Sequence, residues 1–217
     1  MKSVFLILFL VSGAVHLAAS YRKNARVRAA SKVFIVSALL GWYCLSVPKP
    51  LTVMILALAF SWLGDVLLIG KGVKWFTLGG IAFMASHFFF ILSYVPWVNF
   101  ASIPTAAVIL IAAAYVFAVC LVFRGLRPHL PKLLFYPMFL YLLINGAMNC
   151  FALYQLISIP CTAAVITFLG AILFFCSDSI LFFVRFNKQS RWKSHFPVMV
   201  TYILAEFLIT LGMILLA

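Results

Sequence analysis

The stretch SWLGDVLLIG, residues 61–70, places one carboxylate inside a segment that is otherwise apolar enough to cross a membrane. An aspartate at the centre of a transmembrane helix costs about 2.5–3.5 kcal/mol on insertion scales, so such a residue usually faces the protein interior and has a function. Two properties of Asp65 therefore have to be established: whether its segment spans a bilayer, and what the carboxylate does there.

The composition of the whole chain answers the first point. Of its 217 residues, 67% are hydrophobic and 9% are charged. A soluble domain of this length cannot bury so much apolar surface, which indicates a membrane protein. The net charge of +13 does not indicate nucleic-acid binding, because the basic residues occupy short breaks between apolar runs. We therefore expect the lipid bilayer as a partner and no nucleic acid.

Cutting the sequence at charges, prolines and glycines gives eight apolar segments, most of them close to the roughly 20 residues that cross a bilayer and the second shorter. They cover about 3–20, 33–47, 51–69, 76–95, 104–123, 133–156, 160–184 and 197–216. The first is followed at once by the basic run YRKNARVR, so we expect it to be retained as a span. The sequence thus predicts an all-α, polytopic membrane helical bundle with eight transmembrane helices, forming a single domain over residues 1–217.

The basic residues also predict the orientation of the bundle. Fourteen of the sixteen Lys and Arg fall in the first, third, fifth and seventh loops. Because cytoplasmic loops are enriched in Lys and Arg, these four loops should be cytoplasmic and both termini non-cytoplasmic. The short loops favour a multi-pass protein of a bacterial inner (cell) membrane.

Two segments share a pattern of Gly, Phe and Ser. Gly79, Phe83, Ser86 and His87 have the same offsets as the set that runs from Gly170 to Asp178. These offsets place the residues on one face of a helix. Two interpretations stay open: an inverted internal repeat, or the ordinary abundance of these residues in membrane helices.

The chain has only three acidic residues, and all lie inside predicted spans. At a rise of 1.5 Å per residue, Asp65 lies about 9 Å, Asp178 about 10 Å and Glu206 about 14 Å from the cytoplasmic loops. His16 and Tyr202 fall within the same third of the membrane. The same counting puts His87 near the midplane, and Asn145 and Asn149 between the midplane and the far side.

Two carboxylates at one depth in a low dielectric tend to differ in protonation, one neutral and one ionised. This pair can act as a general acid and as a group that stabilises cationic charge. Alternatively, the acids only hold helices together or pair with His16 or His87. A zinc site of His16, His87 and one Asp lacks any supporting ligand spacing, and the five cysteines also lie in apolar runs without such spacing. We therefore expect no metal and no cofactor.

Four stretches of the chain resemble the YhhN family of eight-span membrane proteins, which includes the lysoplasmalogenases of animals and bacteria. They are SWLGDVLL, GGIAFMASHFFFILSY, GAILFFCSDSIL and VTYILAEFLI. The resemblance implies hydrolysis of the vinyl ether bond of lysoplasmalogens, lysophospholipids whose cleavage gives a fatty aldehyde and glycerophospho-ethanolamine or -choline.

The resemblance also implies roles for single residues. The family's two motif aspartates fall on Asp65 and Asp178, its His in the fourth span on His87, and its Tyr in the last span on Tyr202. The family usually has Gln where this chain has Glu206, so three acids can share protons here as one coupled system.

The sequence therefore yields one site hypothesis and three competing function classes. The catalytic candidates are Asp65 and Asp178, and the supporting or substrate-binding candidates are His87, Tyr202, Glu206, Ser177, Ser86, Asn149 and His16. The main hypothesis is an intramembrane hydrolase, and the alternatives are a proton-coupled transporter and a lipid-binding membrane protein. Acids at one depth favour a reaction centre, whereas acids stacked along the membrane normal favour a proton relay.

Overall fold

The computed structural model describes residues 1–187 and 195–217. These residues form α-helices joined by short turns, and no β-strand occurs among them. The helices are α1 (Lys2–Tyr21), α2 (Ala25–Ser46), α3 (Thr52–Leu67), α4 (Val73–Tyr94), α5 (Thr105–Leu126), α6 (Phe135–Ser158), α7 (Thr162–Phe186) and α8 (Phe196–Leu216). The predicted all-helical class is thus confirmed.

Seven of the described helices are long and apolar enough to cross a membrane, and the eighth, α3, has only 16 residues. At 1.5 Å per residue, α3 is about 24 Å long, less than the hydrocarbon thickness of about 30 Å. The predicted number of eight spans therefore stays a prediction, as does the side on which the termini lie. Three basic residues of the seventh loop, Lys188, Arg191 and Lys193, lie outside the described residues.

Helix α2 differs most from its predicted bounds, since it begins at Ala25 and not near residue 33. The Asn24 side chain caps this end by accepting a hydrogen bond from the backbone N–H of Val27 (3.3 Å). Such caps stabilise a helix start, and Lys and Arg are good helix formers. Cutting the sequence at charges was wrong here, because it assigned two helical turns, including Lys32, to a loop.

The described residues form two compact units. The first is Met1–Ser93 together with Met213–Ala217, and the second is Tyr94–Gly212. Asp65 belongs to the first unit, and Asp178 and Glu206 belong to the second.

In the first unit, α3 and α4 approach closely at two glycines. A Cβ on Gly64 would lie 2.6 Å from the ring of Phe83, and one on Gly79 would lie 2.8 Å from Leu68. Small residues allow this approach between membrane helices. The Gly64–Phe83 contact fixes the level of Asp65 relative to α4.

In the second unit, α7 and α8 approach in the same way. A Cβ on Gly170 would lie 2.8 Å from the backbone N of Ile209 and 3.0 Å from the carbonyl O of Ala205. Nearer the C-terminal end of α7, the Ser177 hydroxyl donates to the carbonyl of Val198 (3.0 Å). These contacts fix the register of the antiparallel pair, and with it the level of every polar residue on α8 relative to α7.

Candidate functional site

The carboxylate of Asp65 pairs with an ammonium group. Lys32 Nζ, on α2, lies 3.0 Å from Asp65 Oδ1, on α3. The Asp65 side chain is 1% exposed and that of Lys32 is 15% exposed. Breaking a buried pair of this kind is costly, because the remaining charge is then uncompensated. Lys32 is therefore part of the Asp65 site.

His16 lies next to this pair. Its Nδ1 is 3.1 Å from the hydroxyl of Ser31, the residue before Lys32 on α2. The other ring nitrogen, Nε2, is buried and makes no hydrogen bond within the described residues. Lys32 and Arg28 both lie close enough for their positive charges to interact with the His16 ring. The predicted placement of His16 and Asp65 at one level is supported, since both contact the same turn of α2.

Ser86 and His87, on α4, are fully buried in the same unit. The Ser86 hydroxyl lies 2.8 Å from that of Ser61, which precedes Asp65 by one helical turn on α3. The polar layer around Asp65 thus extends across α1, α2, α3 and α4.

Asp178 has a different environment. Its Oδ2 accepts a hydrogen bond from the Tyr141 hydroxyl (2.6 Å) and a second from Asn145 Nδ2 (2.8 Å), both on α6. The Asp178 side chain is 5% exposed, and Asn145 is fully buried. Both donors are uncharged side chains, whereas the group that contacts Asp65 is an ammonium.

The amide orientations on α6 follow from this carboxylate. Because Asn145 Nδ2 donates to Asp178, its Oδ1 is an acceptor, and Asn149 Nδ2 donates to it (3.2 Å). Asn149 Nδ2 also lies 3.0 Å from the Asn145 carbonyl, which leaves Asn149 Oδ1 buried and without a hydrogen bond among the described residues. Tyr141, Asn145 and Asn149 form a polar stripe at i, i+4 and i+8.

The hydrogen bond between Asn145 and Asp178 brings the two side chains to one level of the second unit. Asn145 lies ten residues from the start of α6 and Asp178 eight residues from the end of α7, about 15 and 12 Å along the two helices. The depth predicted for Asn145 in the membrane stays a prediction. Counting residues from the end of an apolar segment fixes depth poorly, because neighbouring helices extend into the loops by different lengths.

Glu206 does not share the level of Asp178. Gly170 packs between Ala205 and Ile209, which puts Glu206 level with Gly170. Asp178 is eight residues further along α7, about 12 Å along the helix axis. The predicted difference of about 4 Å between the two acids is therefore wrong. Glu206 is fully buried, and the two carboxylates of the second unit are stacked along the helices.

Two other predicted residues lie between these acids. The Tyr202 ring, on α8, packs edge-on against Phe174, on α7, at 5.5 Å between centroids. The Ser177 hydroxyl donates a hydrogen bond to the Val198 carbonyl. This contact holds α7 against α8. The predicted role of Ser177 in substrate binding remains an untested hypothesis.

The two units use one plan. In each, the third helix carries an aspartate that is bonded to the second helix: Asp65 to Lys32, and Asp178 to Tyr141 and Asn145. Helices α3 and α7 correspond in this plan, whereas the sequence pattern matched α4 with α7. In addition, Gly79 of α4 approaches the preceding helix but Gly170 of α7 approaches the following one. These contacts do not support the inverted pairing.

Sequence reasoning missed Lys32 and Tyr141. Lys32 was counted as a loop charge, although a cap signal at Asn24 was available. Tyr141 was not singled out, although its spacing of four residues from Asn145 was a usable signal.

Within residues 1–187 and 195–217, no three His, Cys, Asp or Glu side chains are grouped so that they could hold a metal ion. The expectation that the protein needs no metal stays a prediction.

Comparison with known proteins identifies a family. Neither the curated proteins nor the solved structures match this chain significantly. The family model of the YhhN family matches residues 27–213. This range contains Lys32, Asp65, Tyr141, Asp178 and Glu206, and it covers most of the chain, which therefore belongs to the YhhN family.

Proposed function

We propose that this protein is an intramembrane hydrolase that cleaves the vinyl ether bond of lysoplasmalogens, with Asp65 and Asp178 as its catalytic carboxyl groups. The observation that carries the proposal is two buried acids in different environments: Asp65 is paired with the Lys32 ammonium, and Asp178 accepts hydrogen bonds from Tyr141 and Asn145. Environments that separate two carboxyl groups in this way are typical of acid–base pairs. Membership of the YhhN family supports a membrane hydrolase.

The reaction needs one acid and one carboxylate. The acid gives its proton to the second alkenyl carbon, where the π electrons form the new C–H bond, and an oxygen lone pair forms the C=O⁺ bond of an oxocarbenium ion. The carboxylate stabilises this cation. Water adds to the cationic carbon and returns a proton to the catalytic acid. The hemiacetal then loses its glycerol oxygen, which takes the hydroxyl proton, and the products are a fatty aldehyde and a glycerophospho-alcohol. The net reaction consumes one water.

An apolar cavity supports a substrate with a hydrocarbon chain. The space between α5 and α6 has a volume of about 300 Å³. Its walls include Ala112, Val116, Val119, Gly146 and Ala147. Gly146 and Ala147 follow Asn145 directly on α6, so α6 carries both the polar stripe that reaches Asp178 and a wall of the apolar cavity.

The test is release of free aldehyde by the purified protein from lysoplasmenyl-ethanolamine. We expect wild-type turnover, and no turnover with Asp65→Asn or Asp178→Asn. A 1-alkyl lysolipid of equal chain length is the matched substrate control, because it lacks the double bond that accepts the proton. Since Asp65→Asn leaves Lys32 unpaired, the double variant Lys32→Met/Asp65→Asn is measured beside it. Full activity of either aspartate variant would disprove this mechanism.

A proton-coupled transporter is the second candidate, and the stacking of Asp178 and Glu206 favours it. Buried polar side chains on α6 and α8 continue this stack, and each repeats at every fourth residue. They are Tyr141, Asn145 and Asn149 on α6 and Tyr202, Glu206 and Thr210 on α8. In reconstituted vesicles, a relay would give pH-driven proton uptake that Glu206→Gln stops, whereas a hydrolase gives aldehyde without such uptake.

A further inference from the structure

We propose that His16 and Ser20, on α1, bind the free hydroxyl group on the second glycerol carbon of the lysolipid, and that this contact makes the enzyme select lysolipids over two-chain lipids. The inference rests on the proposed function, for which it names the part of the substrate that the first unit recognises. All residues of the proposed hydroxyl site belong to that unit.

The first step is a pair of buried polar atoms on one face of α1. His16 is 1% exposed and Ser20 is 5% exposed. Neither His16 Nε2 nor Ser20 Oγ has a hydrogen-bond partner within residues 1–187 and 195–217. The two residues are one helical turn apart, so their side chains are neighbours. A buried polar group without a partner costs free energy, so both atoms would gain from a ligand that forms hydrogen bonds to them.

The second step is the kind of group that His16 Nε2 can bind. The Ser31 hydroxyl donates its one proton to the Val27 carbonyl (2.8 Å). In its contact with His16 Nδ1 (3.1 Å), the Ser31 oxygen is therefore the acceptor and Nδ1–H is the donor. The positive charges of Lys32 and Arg28, which interact with the ring, disfavour a further positive charge there. Nε2 of the neutral ring carries a lone pair, so its ligand must donate a hydrogen bond, as a hydroxyl does.

The third step is the molecule that carries this hydroxyl. Arg28 is half-buried, and its guanidinium is suited to a phosphate. In a lysophospholipid, the carbon with the free hydroxyl is next to the carbon with the phosphate, so one glycerol unit can reach both His16 and Arg28. Ser20 is followed directly by the exposed residues 21–27. A lipid headgroup can therefore approach the site from this end of the helices.

The fourth step connects the hydroxyl site with the proposed chemistry. Ser31, which contacts His16, is followed by Lys32, and the Lys32 ammonium lies 3.0 Å from Asp65 Oδ1. The vinyl ether oxygen is on the carbon next to the hydroxyl-bearing carbon, so a hydroxyl bound at His16 brings the bond to be cleaved toward Asp65. An acyl chain on that oxygen removes the donor and leaves Nε2 unpaired. Sites that bind a substrate hydroxyl reject analogues without it for this reason.

The experiment changes the ligand and leaves the protein intact. Binding of the uncleavable 1-alkyl lysophosphatidylethanolamine to purified wild type is measured by calorimetry in detergent. Two analogues are measured beside it, with hydrogen or a methoxy group in place of the hydroxyl. We expect both analogues to bind about 10- to 100-fold more weakly. The methoxy group keeps an oxygen but cannot donate, so its loss of affinity tests the acceptor role of Nε2. His16→Phe should bind all three ligands equally.

The matched control concerns two buried serines on the same face of α1. Ser20→Ala should weaken binding of the hydroxyl-bearing lipid about three- to tenfold. Ser12→Ala should change it by no more than about twofold, because the Ser12 hydroxyl already donates to the Phe9 carbonyl (3.1 Å). Equal losses in the two variants would contradict a specific contact of Ser20 with the ligand.

The outcomes separate this inference from the proposed function. If wild type binds all three ligands equally, His16 Nε2 and Ser20 Oγ hold at most a water molecule, and the inference is wrong even if lysoplasmenyl-ethanolamine is hydrolysed. Equal rates of aldehyde release from lysoplasmenyl-ethanolamine and from its two-chain parent would also overturn it. If the binding order is as expected and wild type releases no aldehyde, the hydroxyl site stands and the hydrolase proposal fails.

Discussion

Lys32 Nζ lies 3.0 Å from Asp65 Oδ1, so the carboxylate that first marks this chain as unusual has a cation on the neighbouring helix. Asp178, in the corresponding helix of the second unit, is bonded to a tyrosine and an asparagine. The same arrangement of helices therefore gives the two aspartates different partners.

Tyr141→Phe should lower kcat for aldehyde release by about 10- to 100-fold, because a hydrogen bond to an ionisable group contributes about 1.5–3 kcal/mol. The phenyl ring keeps its contact with Phe182, 5.2 Å between centroids. Tyr43→Phe is the matched control: Tyr43 is also buried, and its hydroxyl accepts from the Leu51 backbone N–H. Equal losses of kcat in the two variants would remove the special role of Tyr141.

Glu206→Gln should preserve aldehyde release within about threefold. Glu206 lies about 12 Å from the level of Asp178, and the amide keeps the size of the buried side chain. Measurement of kcat for this variant decides between the two candidate functions in the second unit. Complete loss of turnover would show that Glu206 takes part in the proton chemistry and would favour the coupled three-acid system.

Gly170→Ala should destabilise the protein by about 1–3 kcal/mol, because the added methyl group would meet backbone atoms of α8 that cannot move away easily. The contacts are 2.8 Å to Ile209 N and 3.0 Å to Ala205 O. Gly80→Ala is the control, since nothing lies within 4 Å of a Cβ there. Thermal unfolding in detergent measures both, and a Gly170→Ala variant as stable as wild type would disprove this α7–α8 register.

Ala147→Trp should lower turnover of long-chain substrates more than that of short-chain ones, because the indole fills part of the cavity between α5 and α6. Leu140→Trp, on a lipid-facing position of α6 that is 49% exposed, should leave the chain-length profile unchanged. The profile is measured with lysoplasmalogens that differ only in alkenyl length. An identical profile for Ala147→Trp and wild type would show that the chain lies elsewhere.

The orientation of the protein is testable with single cysteines. Arg26→Cys, in the exposed first turn of α2, should resist a membrane-impermeant thiol reagent added outside intact cells. Phe100→Cys, in the exposed turn between α4 and α5, should react. Efficient labelling of position 26 under these conditions would invert the proposed topology.

The sequence by itself determined the helical class and the positions of three acids within apolar segments. These properties are local, because hydropathy and helix length depend only on neighbouring residues along the chain. Asp65 and Asp178 were identified for the same reason: a carboxylate in an apolar segment stands out without any knowledge of its partners.

Only the tertiary structure decided what each acid contacts. Lys32 was assigned to a loop from the sequence. In the structure, α2 begins after the Asn24 cap and therefore includes Lys32, which pairs with Asp65. Counting along the sequence put Glu206 within about 4 Å of the level of Asp178, whereas the contact of Gly170 with Ala205 and Ile209 sets the register of α8 and separates the two acids further. Register between helices is fixed by the close packing of side chains that are distant in sequence, so no count of residues from a helix end can supply it.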